Sequence, residues 1–513
     1  MSRYYRPARL RTALVALVAL AAAAAPAATV RPSPCGSLDD LRARLAAAPD
    51  DAAAAAERFA SCAKREGTPL LFPAPVDRDV RALFVFRSAA PRVFLAGDVN
   101  GWSTSAQPLE KLAGTDLHVR ELDVVDGARL DYKFVVGGTE WTLDPWNPRT
   151  MAGGFGPNSE LRTPAYVPPR EVEARPGMPA GRFEERTVES RALGGARRVV
   201  VWVPPGLPES ARVPALYLLD GLDYREFGNV HVVAANLLAT GRIPPLLLVL
   251  VPPVDRGVEY ERSEAFERFL ATELVPAVEA RWPARTDAAG RGVMGVSLGA
   301  FAALSATART GLFGRCGAQS TGNAVPANLD LLLADLARLP EGAARFHVDV
   351  GTFEADLHGA DLLAVSRRLR PVLAKRQPLE YREVPEGHSW GSWRARLAEA
   401  LTFFWGDERP AGGDGPRSLD EADDAPPGRA ERFSGLPVTL DVKDADLGWV
   451  VRTLTAERGL SVVWPPALAG TVTATLRAVP WDEALHLVLA SNGWDFVREG
   501  KVVRIVRRDA PEP

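Results

Sequence analysis

The residues with the clearest capacity for chemistry lie in MGVSLGAFAAL, residues 294–304. A serine hydroxyl is a poor nucleophile near neutral pH; it becomes reactive when a base takes its proton and a carboxylate orients that base. Gly295 and Gly299 stand two residues before and two after Ser297. This is the pattern of a sharp strand-to-helix turn in which a Cβ at either glycine would crowd the serine. RGVM before it reads as an apolar strand, and AFAALSATA after it as a helix of small residues. Ser297 is therefore the candidate nucleophile, and the competing reading is an ordinary serine in a glycine-rich turn.

A base and an acid should come from loops after later strands. LEYREVPEGHSWGSW supplies a strand and then His388, 91 residues beyond Ser297. His347, inside the apolar strand RFHVDVG, reads as a packed histidine, and His358 is a weaker base candidate. For the orienting carboxylate the choice stays open between Glu354, Asp356 and a serine-histidine pair with no acid. An oxyanion needs two backbone N–H donors. Leu298, next after the serine, would give one, and Leu222, after Asp220-Gly221, the other.

These side chains need a scaffold. From 180 to 405, apolar strands (RVVVWVPP, ALYLLDG, PLLLVLVPP) alternate with amphipathic helices, which predicts a mainly parallel α/β sheet covered on both faces. Before it, residues 68–168 carry short alternating strands and predict an all-β, immunoglobulin-like sandwich. Residues 29–67 read as a helical segment. The stretch 406–435 is rich in Pro, Gly and acids and predicts a flexible linker, and 436–510 reads as a small α+β module.

Residues 1–28, with Arg3, Arg6, Arg9 and Arg11 ahead of TALVALVALAAAAA, read as a secretory signal peptide, which implies a periplasmic or secreted protein. No later segment is long and apolar enough to span a membrane. In an oxidising compartment Cys35 and Cys62 could form a disulfide and leave Cys316 free, with unpaired thiols as the alternative. Cysteines and histidines show no zinc-ligand spacing, so no metal or other cofactor is expected. A formal net charge of -3 without a basic stripe argues against a nucleic-acid partner.

The stretches VVVWVPPGLPESARVPALYLLDGLDY, GVMGVSLGAFAAL, VDVGTFEADL and EGHSWGSWRARLAEAL resemble, in order, the esterase family of α/β-hydrolases, in its enterochelin (ferric enterobactin) esterase branch. GTPLLFP and DPWNPRTMAGGFGPNSELRTPAYVPP resemble the N-terminal domain of the same enzymes. The resemblance implies an α/β-hydrolase that cleaves an ester through an acyl-enzyme, with Ser297 and His388 at the family's catalytic positions. It also implies that Trp390 and Trp393 wall the site, with Arg256 mainly structural or in contact with substrate, and that a siderophore ester, ferric or not, is a candidate substrate. Acyl transfer and hydrolysis of feruloyl or carbohydrate esters are the alternatives, and an envelope binding or assembly protein on a hydrolase scaffold is the reading from another class.

Two flanking resemblances remain. FLAGDVNGW with YKFVVGGTEW is similar to a glycogen-binding module, which implies sugar contacts for Trp102, Lys133 and Trp141; the alternative is a sandwich that is structural or shapes the esterase cleft. The last 75 or so residues resemble the short N-terminal (STN) domain of secretins and TonB-dependent receptors, with Leu447, Val450, Val451 and Leu454 on one helix face. This implies docking to an envelope protein.

Overall fold

The computed structural model describes residues 32–47, 49–76, 78–175, 178, 181–208, 210–322, 325–408, 437–456, 461–465, 468–499 and 502–507. The expected signal peptide and the linker beyond 408 lie outside them.

The central domain is an eight-stranded sheet. Its strands are β1 (Arg182–Ser190), β2 (Gly195–Val203), β3 (Ala215–Leu219), β4 (Leu247–Val251), β5 (Arg291–Val296), β6 (Arg315–Gln319), β7 (Arg345–Gly351) and β8 (Leu379–Val384), in the spatial order β1-β2-β4-β3-β5-β6-β7-β8. From β4 through β3 to β8 every pairing is parallel, while β1 and β2 are antiparallel. β1, RFEERTVES, carries too many charges to be read as a core strand, and it occupies the sheet edge, where one side faces water.

The apolar strands fill two cores because successive side chains point to opposite faces. Val199, Val201 and Val203 of β2 enter one core with Tyr217 and Leu219. Val200 and Trp202 enter the other with Leu216 and Leu218. Chain reversal between parallel strands uses helices such as Leu298–Thr310 after β5 and Leu362–Ala374 between β7 and β8. The amphipathic stretch 263–282 is helical but interrupted: Glu264–Phe269 and Val275–Arg281 flank a π-helical turn, Leu270–Leu274.

The sandwich has one sheet of Leu70–Pro73, Asp79–Arg87, Leu117–Val125 and Glu110–Lys111, and a second built on Val93–Gly97, Arg129–Val136 and Asn158–Arg162. Helices Leu38–Ala47 and Ala52–Glu66 pack Leu38, Leu41, Phe59 and Ala63 against its Leu83, Val85 and Val119. A Cys35–Cys62 disulfide joins this helical pair. Cys316 is free and buried, and burial raises its thiol to about 12.

One boundary moves. Residues 406–408, expected as linker, form a helical turn whose Glu408 binds Arg285 and Arg315 and whose Asp407 binds Arg345, so these three residues belong to the central domain. In the C-terminal module, Leu447, Val450, Val451 and Leu454 of helix Leu447–Ala456 share a core with Leu485, Leu489 and Trp494. Among the described residues no helix is long and apolar enough to cross a membrane.

Candidate active site

Ser297 sits between β5 and helix Leu298–Thr310 with φ 56° and ψ −123°, a conformation that a non-glycine residue holds only when its surroundings impose it. The turn is closed by its neighbours: Ser297 N–H donates to Gln319 O at 2.9 Å, and Gly322 N–H donates to Ser297 O at 3.2 Å. A Cβ on Gly295 would lie 2.2 Å from Gly299 O, and one on Gly299 would lie 2.8 Å from Asp220 Oδ2. Both flanking glycines are thus required by close approach.

His388 lies in the loop after β8, with Nε2 3.2 Å from Ser297 Oγ and Nδ1 2.7 Å from Glu354 Oε2. The edge of its ring meets Trp393 at 4.8 Å between centroids. Glu354 ends the short helical turn after β7 and is fully buried, yet both of its oxygens are engaged. Its Oε1 accepts from Ser320 Oγ and Gly351 N, each at 2.7 Å. Trp393 Nε1–H donates to Ser320 Oγ at 2.9 Å, and an indole nitrogen can only donate, so the Ser320 hydroxyl hydrogen is free for Glu354.

Of the carboxylates left open by the sequence, Glu354 is the one brought to His388. Asp356 is exposed and accepts from Gly359 N–H at 3.0 Å, away from the histidine, because the chain turns outward after the buried Glu354. His347 is fully buried against Asp349, with Nε2 and Oδ2 3.1 Å apart. His358 lies in an exposed loop.

Leu298 opens its helix, and Leu222 is the second residue of helix Gly221–Glu226, so neither N–H has an intrahelical acceptor. The first amides to find one there are those of Asp223 and Tyr224, both on Asp220 O. Asp220 has φ 58°, and burial raises its carboxyl against the pull of Arg256. Arg256 spends its fork on Asp220, with Nε–Oδ1 at 2.9 Å and Nη2–Oδ2 at 3.0 Å, and Nη2 also donates to Val296 O at 3.0 Å.

The triad opens into a cleft of about 390 Å³, within the lower part of the usual ligand-pocket range. Trp390, Trp393 and Arg256 line it, together with Asp220 and Asp223. Its opposite wall comes from the sandwich: Asp131, Asn158 and the loop Ala152–Gly156, whose Phe155 ring is wholly exposed. A sandwich that shapes the cleft is one of the sequence readings, but no motif marks these particular residues of it.

On the sandwich, Trp102 and Trp141 pair at 6.4 Å between ring centroids, and Trp102 Nε1–H donates to Asp98 Oδ1 at 3.1 Å. Lys133, on the adjacent strand, is half-buried, and its ammonium is lowered by that burial. Among the described residues no group of three or more His, Cys, Asp or Glu side chains is placed to hold a metal ion.

Residues 190–404 match the family model "Esterase", described as "Putative esterase". On the family match this region is that of a carboxylic ester hydrolase. Crystal structures similar to the chain include an enterobactin esterase from Shigella flexneri in the presence of enterobactin, 23% identical with a TM-score of 0.57, covering 68% of this chain and 98% of that one. A ferric enterobactin esterase from Salmonella typhimurium is 22% identical with a TM-score of 0.58, covering 66% and 97%. The iron(III) enterobactin esterase of Yersinia enterocolitica is 26% identical over 282 residues, which cover 45% of this chain and 79% of that protein. A separate match of 77 residues is 34% identical to the type IV pilus biogenesis and competence protein PilQ of Neisseria meningitidis. It covers 15% of this chain, and the chain spans only 10% of PilQ.

Proposed function

We propose that the chain is an exported serine ester hydrolase that works through an acyl-enzyme. The observation that carries this reading is the relay Ser297 Oγ, His388, Glu354, with both His388 contacts in hydrogen-bond range and the serine facing a cleft. His388 Nε2 takes the Ser297 proton as Oγ attacks the ester carbonyl, and Glu354 holds the imidazole in the tautomer that leaves Nε2 free to accept. The Leu298 and Leu222 amides receive the developing oxyanion. His388 then returns its proton to the departing alkoxide, and water, deprotonated by the same nitrogen, releases the acid and restores Ser297.

The cleft bears on the substrate. Trp390, Trp393 and Phe155 offer aromatic surface, whereas the charged lining is Asp131, Asp220 and Asp223 against Arg256, already paired with Asp220. This favours an uncharged aromatic ester over a multiply anionic one. A catecholate trilactone of the enterobactin type fits in its iron-free form better than as the ferric complex. The arginine-rich, apolar residues 1–28 support export to the periplasm. The PilQ match has about the length of the C-terminal module, which supports docking of that module to an envelope protein.

The test is hydrolysis by the purified mature protein of p-nitrophenyl acetate, a feruloyl ester, and a catecholate trilactone with and without iron, each beside Ser297→Ala. The expected result is serine-dependent cleavage with iron-free trilactone preferred over its ferric complex. Full activity of Ser297→Ala would refute the mechanism, and preference for the ferric complex would refute the reading of the cleft.

A further inference from the structure

The loop that carries His388, residues 385–391, is gripped at nearly every position by the sandwich domain. Arg129 N–H donates to Pro385 O at 3.2 Å, and Arg129 forms an isolated parallel bridge with Glu386. Gly387 rests on the Asp98 carboxyl: a Cβ there would lie 1.9 Å from its Cγ. Arg129 Nη1 donates to Ser389 Oγ at 2.9 Å. Gly391 lies against the Arg129 guanidinium, where a Cβ would come within 1.9 Å of Nη2. His388 itself turns the other way, toward Ser297 and Glu354, as do the Glu386 carboxylate toward Arg396 and the Trp390 ring toward Tyr224.

Arg129 is built to hold that position. Its side chain is 2% exposed, and all three guanidinium nitrogens are engaged: Nε with Glu160 at 2.9 Å, Nη2 with Asp131 at 2.7 Å, and Nη1 with Ser389. Asp131 is fixed in turn by Asn158 Nδ2 at 3.1 Å, and its N–H donates to Asp98 Oδ2 at 2.7 Å. A buried guanidinium held by two buried carboxylates has one geometry open to it. It therefore transmits the position of the sandwich sheet to the histidine loop, 260 residues away in sequence.

We propose that Arg129 is a positioning residue for His388, so that the sandwich is part of the hydrolytic apparatus and not a detachable binding module. The proposal rests on the hydrolase reading given above. A general base works only while held within about 0.5 Å of its productive position, and a misplacement of about 1 Å can cost on the order of 10²-fold in rate.

The experiment uses the full mature chain and p-nitrophenyl acetate. Ser389→Ala deletes the loop's acceptor and leaves Arg129 between its two carboxylates, so it tests the linkage even if changes at Arg129 impair folding. It should lower kcat about 10-fold with KM unchanged, and Arg129→Lys, which keeps the charge and loses the fork, should lower it about 10²-fold. The far-downfield proton resonance of the His388 Nδ1–H···Glu354 bond should broaden or vanish in both, a readout that a merely stabilising contact would not move. Wild-type kcat and an unchanged resonance in Ser389→Ala, beside an inactive Ser297→Ala, would overturn the positioning role and leave the hydrolase reading standing. A raised KM with intact kcat would also overturn it, since Ser389 would then be binding substrate. A fully active Ser297→Ala would overturn the reading beneath it.

Discussion

Exchanging Glu354 for glutamine changes one atom and should reverse the direction of proton flow. Glu354 Oε1 accepts from Gly351 N–H and from the Ser320 hydroxyl, each at 2.7 Å, and the backbone N–H cannot turn into an acceptor. In Glu354→Gln the amide oxygen must therefore stay at the Oε1 position, which leaves the NH₂ where Oε2 now accepts from His388 Nδ1 at 2.7 Å. Nδ1 would have to become an acceptor, so Nε2 would carry the hydrogen and face Ser297 Oγ as a donor, with no lone pair to take the serine proton. A wrong-tautomer histidine in a triad of this kind costs about 10⁴ in kcat, or about 5.5 kcal/mol of barrier. Because two of the three hydrogen bonds survive, loss of stability should stay at about 1–3 kcal/mol. The assay is kcat and KM on p-nitrophenyl acetate at pH 7 beside a thermal melt. A folded Glu354→Gln enzyme within tenfold of wild-type kcat would refute the tautomer argument.

Two further predictions concern stability. The Cys35–Cys62 disulfide closes a loop with a sequence separation of 27, so Cys35→Ser should cost about 3–4 kcal/mol; an unchanged denaturation midpoint for the sandwich would contradict this. Burial opposes the charge on His347, but its hydrogen bond to Asp349 and the Glu380 carboxylate 3.6 Å from Nδ1 outweigh it and raise the imidazole from 6.5 to about 8. The folded state then favours the protonated form, so this contribution, about 2 kcal/mol, is complete below pH 6.5 and is lost as pH rises through about 8. Melts between pH 6 and 9 should show the decline, and His347→Gln should flatten it; an equal slope in the variant would assign the decline to other groups.

What the sequence made legible was local. The Gly-x-Ser-x-Gly elbow is written within five consecutive residues, and His388 follows directly from a strand that ends in a glycine-bearing loop. Glu354 and Asp356 are two residues apart, and only the turn after β7, which buries one and exposes the other, separates them. β1 escaped because an edge strand with a wet face lacks the apolar run that marks its neighbours. Ser320, at φ 52°, joins Trp393 to Glu354 only once β6 and the histidine loop are in place. Asp131 and the Ala152–Gly156 loop belong to the cleft, and Arg129 meets the histidine loop, through packing between domains, which no spacing within either domain encodes.

Whether Ser297 is the nucleophile can be read by treating the purified protein with a fluorophosphonate ester and mapping the adduct by peptide mass spectrometry. A single adduct is expected on the peptide carrying Ser297, formed in step with loss of esterase activity and much more slowly in His388→Ala. Esterase activity that survives complete labelling of Ser297, or inactivation with the adduct on another residue, would contradict the assignment.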